Sequence, residues 1–61
     1  MSKEERFQYV GWQVRQLIYE INYAFVFNEV NEEILRKCKR LDDYLTEYYI
    51  LQKELNKWVY L

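Results

Sequence analysis

The side chains that could do chemistry in this chain are few, and they gather in one stretch, Cys38-Lys39-Arg40-Leu41-Asp42-Asp43. Histidine is absent, which removes every Ser-His-Asp and Cys-His nucleophile. Gly11 is the one glycine, so there is no Gly-rich phosphate loop, and no ligand spacing suggests a metal. The chain is therefore expected to carry neither metal nor cofactor. Cys38 falls on an apolar helical position and reads as an inert core thiol. Arg36, Lys37, Lys39 and Arg40 form the basic cluster. Glu32→Arg36 and Glu33→Lys37 are favourable i,i+4 pairs, and Asp43 can answer Lys39 or Arg40, which would make a solvated, internally paired face. The functional alternative is docking to an acidic protein surface. Asp42, directly after Leu41, borders the apolar seam. An Asp there is ordinarily solvated or paired, for instance with Lys39; a catalytic carboxylate is the sharper reading.

Two helices must position these groups. In the second, near residues 31–58, apolar positions fall at Ile34, Cys38, Leu41, Leu45, Tyr48, Leu55 and Val59, a 4-3-4-3 spacing with Gln52 in the one missing step. In the first, near residues 3–25, Phe7, Val10, Val14, Leu17, Ile21 and Ala24 follow the same rule, with Ile18 and Phe25 widening the stripe. Ser2-Lys3-Glu4-Glu5 matches a capping box, in which Ser2 and Glu5 each satisfy a backbone N–H of the first turn. Gly11, beside Trp12, reads either as a point of close helix approach or as a tolerated surface glycine. Between the helices, Asn28 suits a left-handed helix end and Asn31 an N-cap, with Val30 and Leu35 as a hydrophobic staple. Glu32 and Glu33 suit the start of the second helix dipole, and Lys53 and Lys57 its end. So short a connection predicts an all-α, antiparallel two-helix hairpin, with residues 1–61 as one domain.

Composition bounds the function. A net charge of −1 gives no electrostatic case for nucleic acid. No apolar run reaches the roughly 20 residues of a membrane span. One cysteine makes no intrachain disulfide, so a reducing cytoplasm is the simplest home. Twelve of the 61 residues are aromatic, more than one hairpin can hide, which points to a homodimer in a four-helix arrangement or to a protein partner. The aromatics Trp12, Tyr19, Tyr23, Tyr44, Tyr48, Tyr49 and Trp58 read first as packing groups. Phe25 and Phe27 at the hairpin tip are harder to bury and form a candidate knob for a partner.

Helix, short break, then a helix carrying Cys38-Lys39-Arg40-Leu41-Asp42 with Leu45 and Tyr48 after it resembles the small aspartyl-phosphate phosphatases of spore-forming bacilli. Their motif is S-Q-E-L-D; Leu41 and Asp42 match it, while Cys38, Lys39 and Arg40 replace its Ser, Gln and Glu. Val14-Arg15-Gln16-Leu17 and Glu33-Ile34-Leu35 resemble the family's first and second helices, so the likeness runs over roughly residues 14–49. It implies a partner, the phosphorylated receiver domain of a response regulator that supplies its own Mg²⁺, and negative regulation of sporulation-type signalling. It implies that Asp42 orients the attacking water, that Lys39 or Arg40 contacts phosphoryl oxygens, and that Leu41 belongs to the docking surface. A non-enzymatic helical module that sequesters a protein partner is the alternative.

Overall fold

A computed structural model describes residues 1–56 as two helices, α1 (Lys3–Val26) and α2 (Glu32–Glu54), packed as an antiparallel hairpin with no strand among these residues. The expectations for Lys57 and for Trp58 to Leu61, including Val59 of the seam, lie outside the described residues.

Both helix starts are side-chain capped. The Glu5 N–H donates to Ser2 Oγ at 3.1 Å, and the Ile34 N–H donates to Asn31 Oδ1 at 3.1 Å. The capping box differs from expectation in one half, because the Glu5 carboxylate accepts from the Ser2 hydroxyl (3.1 Å) instead of from a backbone N–H. Val30 and Leu35 do not form a staple that hides either residue, for both stay exposed. Both helices stop at asparagines in the left-handed region, Asn28 (φ 56°) and Asn56 (φ 55°). At the first stop the Glu29 N–H reaches Ala24 O (2.7 Å) and the Asn28 N–H reaches Phe25 O (3.3 Å), the paired bonds of a Schellman ending. At the second, the Asn56 N–H reaches Lys53 O at 3.2 Å. That bond ends α2 at Glu54, before the expected position 58; Asn56 carried the same signal as Asn28.

The six expected core positions of α1, Phe7, Val10, Val14, Leu17, Ile21 and Ala24, are all buried. Ile18 and Phe25 are not; Phe25 is 59% exposed, since a hairpin covers only one face of each helix. On α2 the buried residues are Ile34, Tyr48 and Leu51, while Cys38, Leu41, Leu45 and Leu55 are half-buried. Leu51, not Gln52, fills the missing step of the seam. Leu51 stands three residues after Tyr48 and four before Leu55, so the three share the face that Tyr48 turns towards α1, and Gln52 is left half-buried beside it.

Tyr48 is the centre of this packing. It is 2% exposed, stacks on Phe7 at 4.7 Å between ring centroids, and lies over Gly11. A Cβ on Gly11 would stand 3.1 Å from Tyr48 Cε2. Gly11 is thus a point of close approach, and the group it admits is a tyrosine ring. Three ion pairs cross between the helices: Lys3 with Glu54 (2.6 Å), Arg6 with Glu47, and Lys37 with Glu20 (2.7 Å). Exposed pairs of this kind are individually worth little, but their spacing matches one antiparallel register from end to end. The Arg6–Glu47 pair is bidentate, Nη2 to Oε1 at 2.8 Å and Nε to Oε2 at 2.5 Å. Its guanidinium also lies 5.2 Å from the centroid of Tyr9, which meets Tyr44 edge-on.

Two outcomes are expected. Gly11→Leu should destabilise the hairpin by roughly 1–3 kcal/mol through overpacking. Tyr48→Ala, at about 3–5 kcal/mol, should abolish cooperative unfolding in so small a chain; urea melts followed by circular dichroism measure both. The Arg6 hydrogen bonds, with its positive charge, hold the Glu47 carboxyl below its ordinary range against the opposing effect of burial. A carboxyl depressed in the folded state stabilises above its unfolded pKa, and that contribution fades as pH falls through the folded value. Wild type should therefore lose more stability than Glu47→Gln on acidification below the normal glutamate range, a difference that paired melts at neutral and acid pH would reveal.

Candidate functional site

The middle of α2 carries the candidate site, and helix geometry decides which of its residues can act together. Successive residues turn about 100° around the axis. Leu41 points inward and packs against the core cluster around Tyr48. Arg40 and Asp42, two residues apart, therefore diverge by roughly 200°. Arg40 lies towards Tyr44, where its charge favours the ionised phenol, although the hydrogen bond with Tyr9 and burial raise the Tyr44 pKa overall. Lys39, three residues before Asp42, shares its face.

That face is a continuous exposed stripe, Leu35, Lys39, Asp42, Thr46, Tyr49 and Lys53, at 4-3-4-3-4 spacing. Leu35 is 62% and Tyr49 61% exposed, so two large apolar groups flank a polar centre of Lys39, Asp42 and Thr46. The Thr46 hydroxyl donates to the Asp42 backbone carbonyl at 3.0 Å. The Asp42 carboxylate itself has no hydrogen-bond or ion-pair partner among the described residues, and the same holds for Lys39 and Asp43. The expected pairing of Asp42 with Lys39, and of Asp43 with Lys39 or Arg40, is not formed.

The basic cluster consequently divides in two. Arg36 pairs with Glu32 (3.5 Å), and Lys37 pairs with Glu20 and, at 3.6 Å, with Glu33, as the i,i+4 spacing indicated. The Glu20 hydrogen bond and both carboxylates hold the Lys37 pKa above its usual value. Lys39 and Arg40 are left without an ion pair among the described residues. Cys38 is a free, half-buried thiol. Among the described residues no group of three or more His, Cys, Asp or Glu is placed to hold a metal ion, and no helix is long and apolar enough to cross a membrane.

Phe25 and Phe27 occupy the tip, 59% and 58% exposed, and Phe27 leans on Tyr23 at 4.5 Å between centroids. They do not join the Asp42 stripe. Asp42 lies eleven residues beyond the Asn31 cap, about 16 Å along the helix. Leu35, expected as a staple, and Tyr49, expected as a packing group, instead stand on this outward stripe with Thr46; their signal is the same 4-3 spacing on the outward face. A concavity of about 340 Å³ lies near the tip between Tyr19, Tyr23, Ile34 and Lys37. Asp42 lines neither this concavity nor the one between Phe7, Gly11, Trp12 and Tyr48. Its carboxylate is exposed to solvent in the middle of α2. Comparison of the chain with protein-family models, curated proteins and solved structures finds no match.

Proposed function

We propose that this hairpin docks through the outer stripe of α2 onto the receiver domain of a response regulator and hastens loss of its aspartyl phosphate. The observation that carries the reading is the Asp42 carboxylate, exposed at the middle of a capped helix and without a partner among the described residues. The resemblance of Leu41-Asp42 and its surroundings to the small aspartyl-phosphate phosphatases supports the choice of substrate.

An aspartyl phosphate is a mixed anhydride and hydrolyses without a covalent helper. Water attacks phosphorus, an O–P bond forms, the P–O bond to the acyl group breaks, and the receiver's carboxylate leaves. Asp42 accepts a hydrogen bond from the attacking water, aligning it with the bond that breaks and taking up proton density as attack proceeds. Lys39, on the same face, contacts a phosphoryl oxygen or the acidic rim of the receiver. Arg40 turns away from that point and Leu41 serves through the packing that holds α2, so neither touches the phosphoryl group in this reading. An exposed carboxylate on a helix suits a helper whose active centre is completed by its substrate, here a cytoplasmic signalling domain.

A second reading has its own observation. Phe25, Val26, Phe27 and Val30 leave an apolar tip exposed, which fits a stoichiometric adaptor that sequesters a partner without chemistry.

With a catalytic amount of hairpin and an excess of phosphorylated receiver, inorganic phosphate should appear well beyond one equivalent. Asp42→Ala should slow release by about 100-fold or more with an unchanged helical spectrum, while Lys39→Ala should mainly raise the receiver concentration needed. Release limited to one equivalent or none, with binding lost in a Phe25→Ser/Phe27→Ser variant, would instead establish the adaptor.

A further inference from the structure

The two helices differ sharply in charge. α2 bears eleven Asp, Glu, Lys and Arg residues between Glu32 and Glu54, whereas from Phe7 to Asn28 the only charges are Arg15 and Glu20. Glu20 is engaged with Lys37 of α2. The outward face of α1 is thus left with Gln8, Trp12, Arg15, Gln16, Tyr19, Asn22, Tyr23 and Val26, a single charge among aromatic and amide side chains. Trp12 is 55%, Tyr19 69%, Tyr23 50% and Val26 77% exposed. A helix that is apolar on one face and aromatic on the other is one that packs on both sides.

We propose that this outward face of α1 joins two copies of the chain, α1 against α1 in antiparallel fashion, with the charged α2 helices outside. Three features select a second copy. The stripe is spaced symmetrically about the point between Arg15 and Gln16: Trp12 and Tyr19 lie equally far on either side, as do Gln8 and Tyr23. Read backwards, the face therefore meets itself, as an isologous two-fold contact requires. Antiparallel pairing centred there sets Trp12 of each copy opposite Tyr19 of the other. It also sets the two helix dipoles head to tail.

The area is of the right order. At about 150–250 Å² per aromatic side chain, the exposed parts of the three rings amount to roughly 350 Å² per copy. With Val26 and the amides of the same face, two copies approach the lower edge of specific interfaces, roughly 1,200 Å² in total. A reversible dimer of moderate affinity is what such a face supports. Driven by ring burial and almost free of charge, it should hold or tighten as salt is raised, because the two Arg15 side chains near the axis repel one another and salt screens them. Docking through the Lys39–Asp42 stripe would weaken under the same change. The dimer face and the proposed phosphatase face lie on different helices, so each proposal can fail without the other.

Sedimentation equilibrium of the full chain, from low micromolar to millimolar and at low and high salt, tests this. The expected result is a monomer–dimer equilibrium that persists in high salt and shifts by at least tenfold towards monomer in Trp12→Glu and in Tyr19→Glu. Both variants should keep the wild-type helical spectrum, because the replaced rings are more than half exposed. Leu35→Ser, on the outward stripe of α2, should dimerise as wild type does. A wild type that stays monomeric throughout, or a dimer indifferent to Trp12→Glu and Tyr19→Glu, would overturn the proposal.

Discussion

The hairpin depends on one close contact, the Tyr48 ring laid across the bare backbone of Gly11 and against Phe7. A two-helix chain has a single interface in which to bury apolar area, and a tyrosine ring contributes more area there than an aliphatic side chain. It lies this close because α1 carries no Cβ at Gly11, where one would stand 3.1 Å from Tyr48 Cε2. The helical cost of glycine, about 1 kcal/mol against alanine, is offset by full burial of the ring. Val10, Val14, Leu51 and the half-buried Leu41, Leu45 and Leu55 fill in around it.

That contact sets the rotation of α2, and the rotation sets the candidate site. With Tyr48 and Leu51 inward, Leu41 must also face the core, and Asp42 is carried to the edge of the outer surface one residue later. Lys39 and Thr46 follow Asp42 outward, while Arg40 swings to the opposite flank beside Tyr44. The motif-like run Cys38 to Asp42 thus does not act as a contiguous patch. Its members point inward, outward and sideways, and only Lys39 and Asp42 can meet one partner atom together. The capped ends of α2, Asn31 at the start and Asn56 at the finish, hold that stripe on a continuous helix.

The charge asymmetry between the helices divides the labour in the two proposals. α2 presents charged side chains outward, of which Lys39 and Asp42 have no partner among the described residues, and this is the surface the phosphatase proposal uses. α1 presents rings and amides, which suit a dry contact with a like surface. Interhelical pairs at Lys3–Glu54, Arg6–Glu47 and Glu20–Lys37 add little energy each but oppose slippage between the helices. A one-turn slip would separate all three.

Much of this was legible in the residues alone. The 3-4 spacing of Phe7, Val10, Val14, Leu17, Ile21 and Ala24 identified the whole core face of α1, because burial on a helix follows its period. Ser2 and Asn31 announced their helix starts and Asn28 its helix end, since capping is a local matter of one side chain and one turn. What only tertiary structure decided depends on the partner helix. Gln52 and Leu51 could not be ranked by spacing, because they lie four and three residues after Tyr48 and both positions share its side of the helix; the rotation of α2 against α1 decided between them. Gly11 could not be told from a surface glycine until a ring was found above it. Whether Asp42 would find a cation was likewise undecided, because Lys39 and Arg40 are near it in sequence but a helix turns each of them to its own direction. Local sequence determined the helices and their ends; the rotation of one helix against the other decided which side chains face a partner.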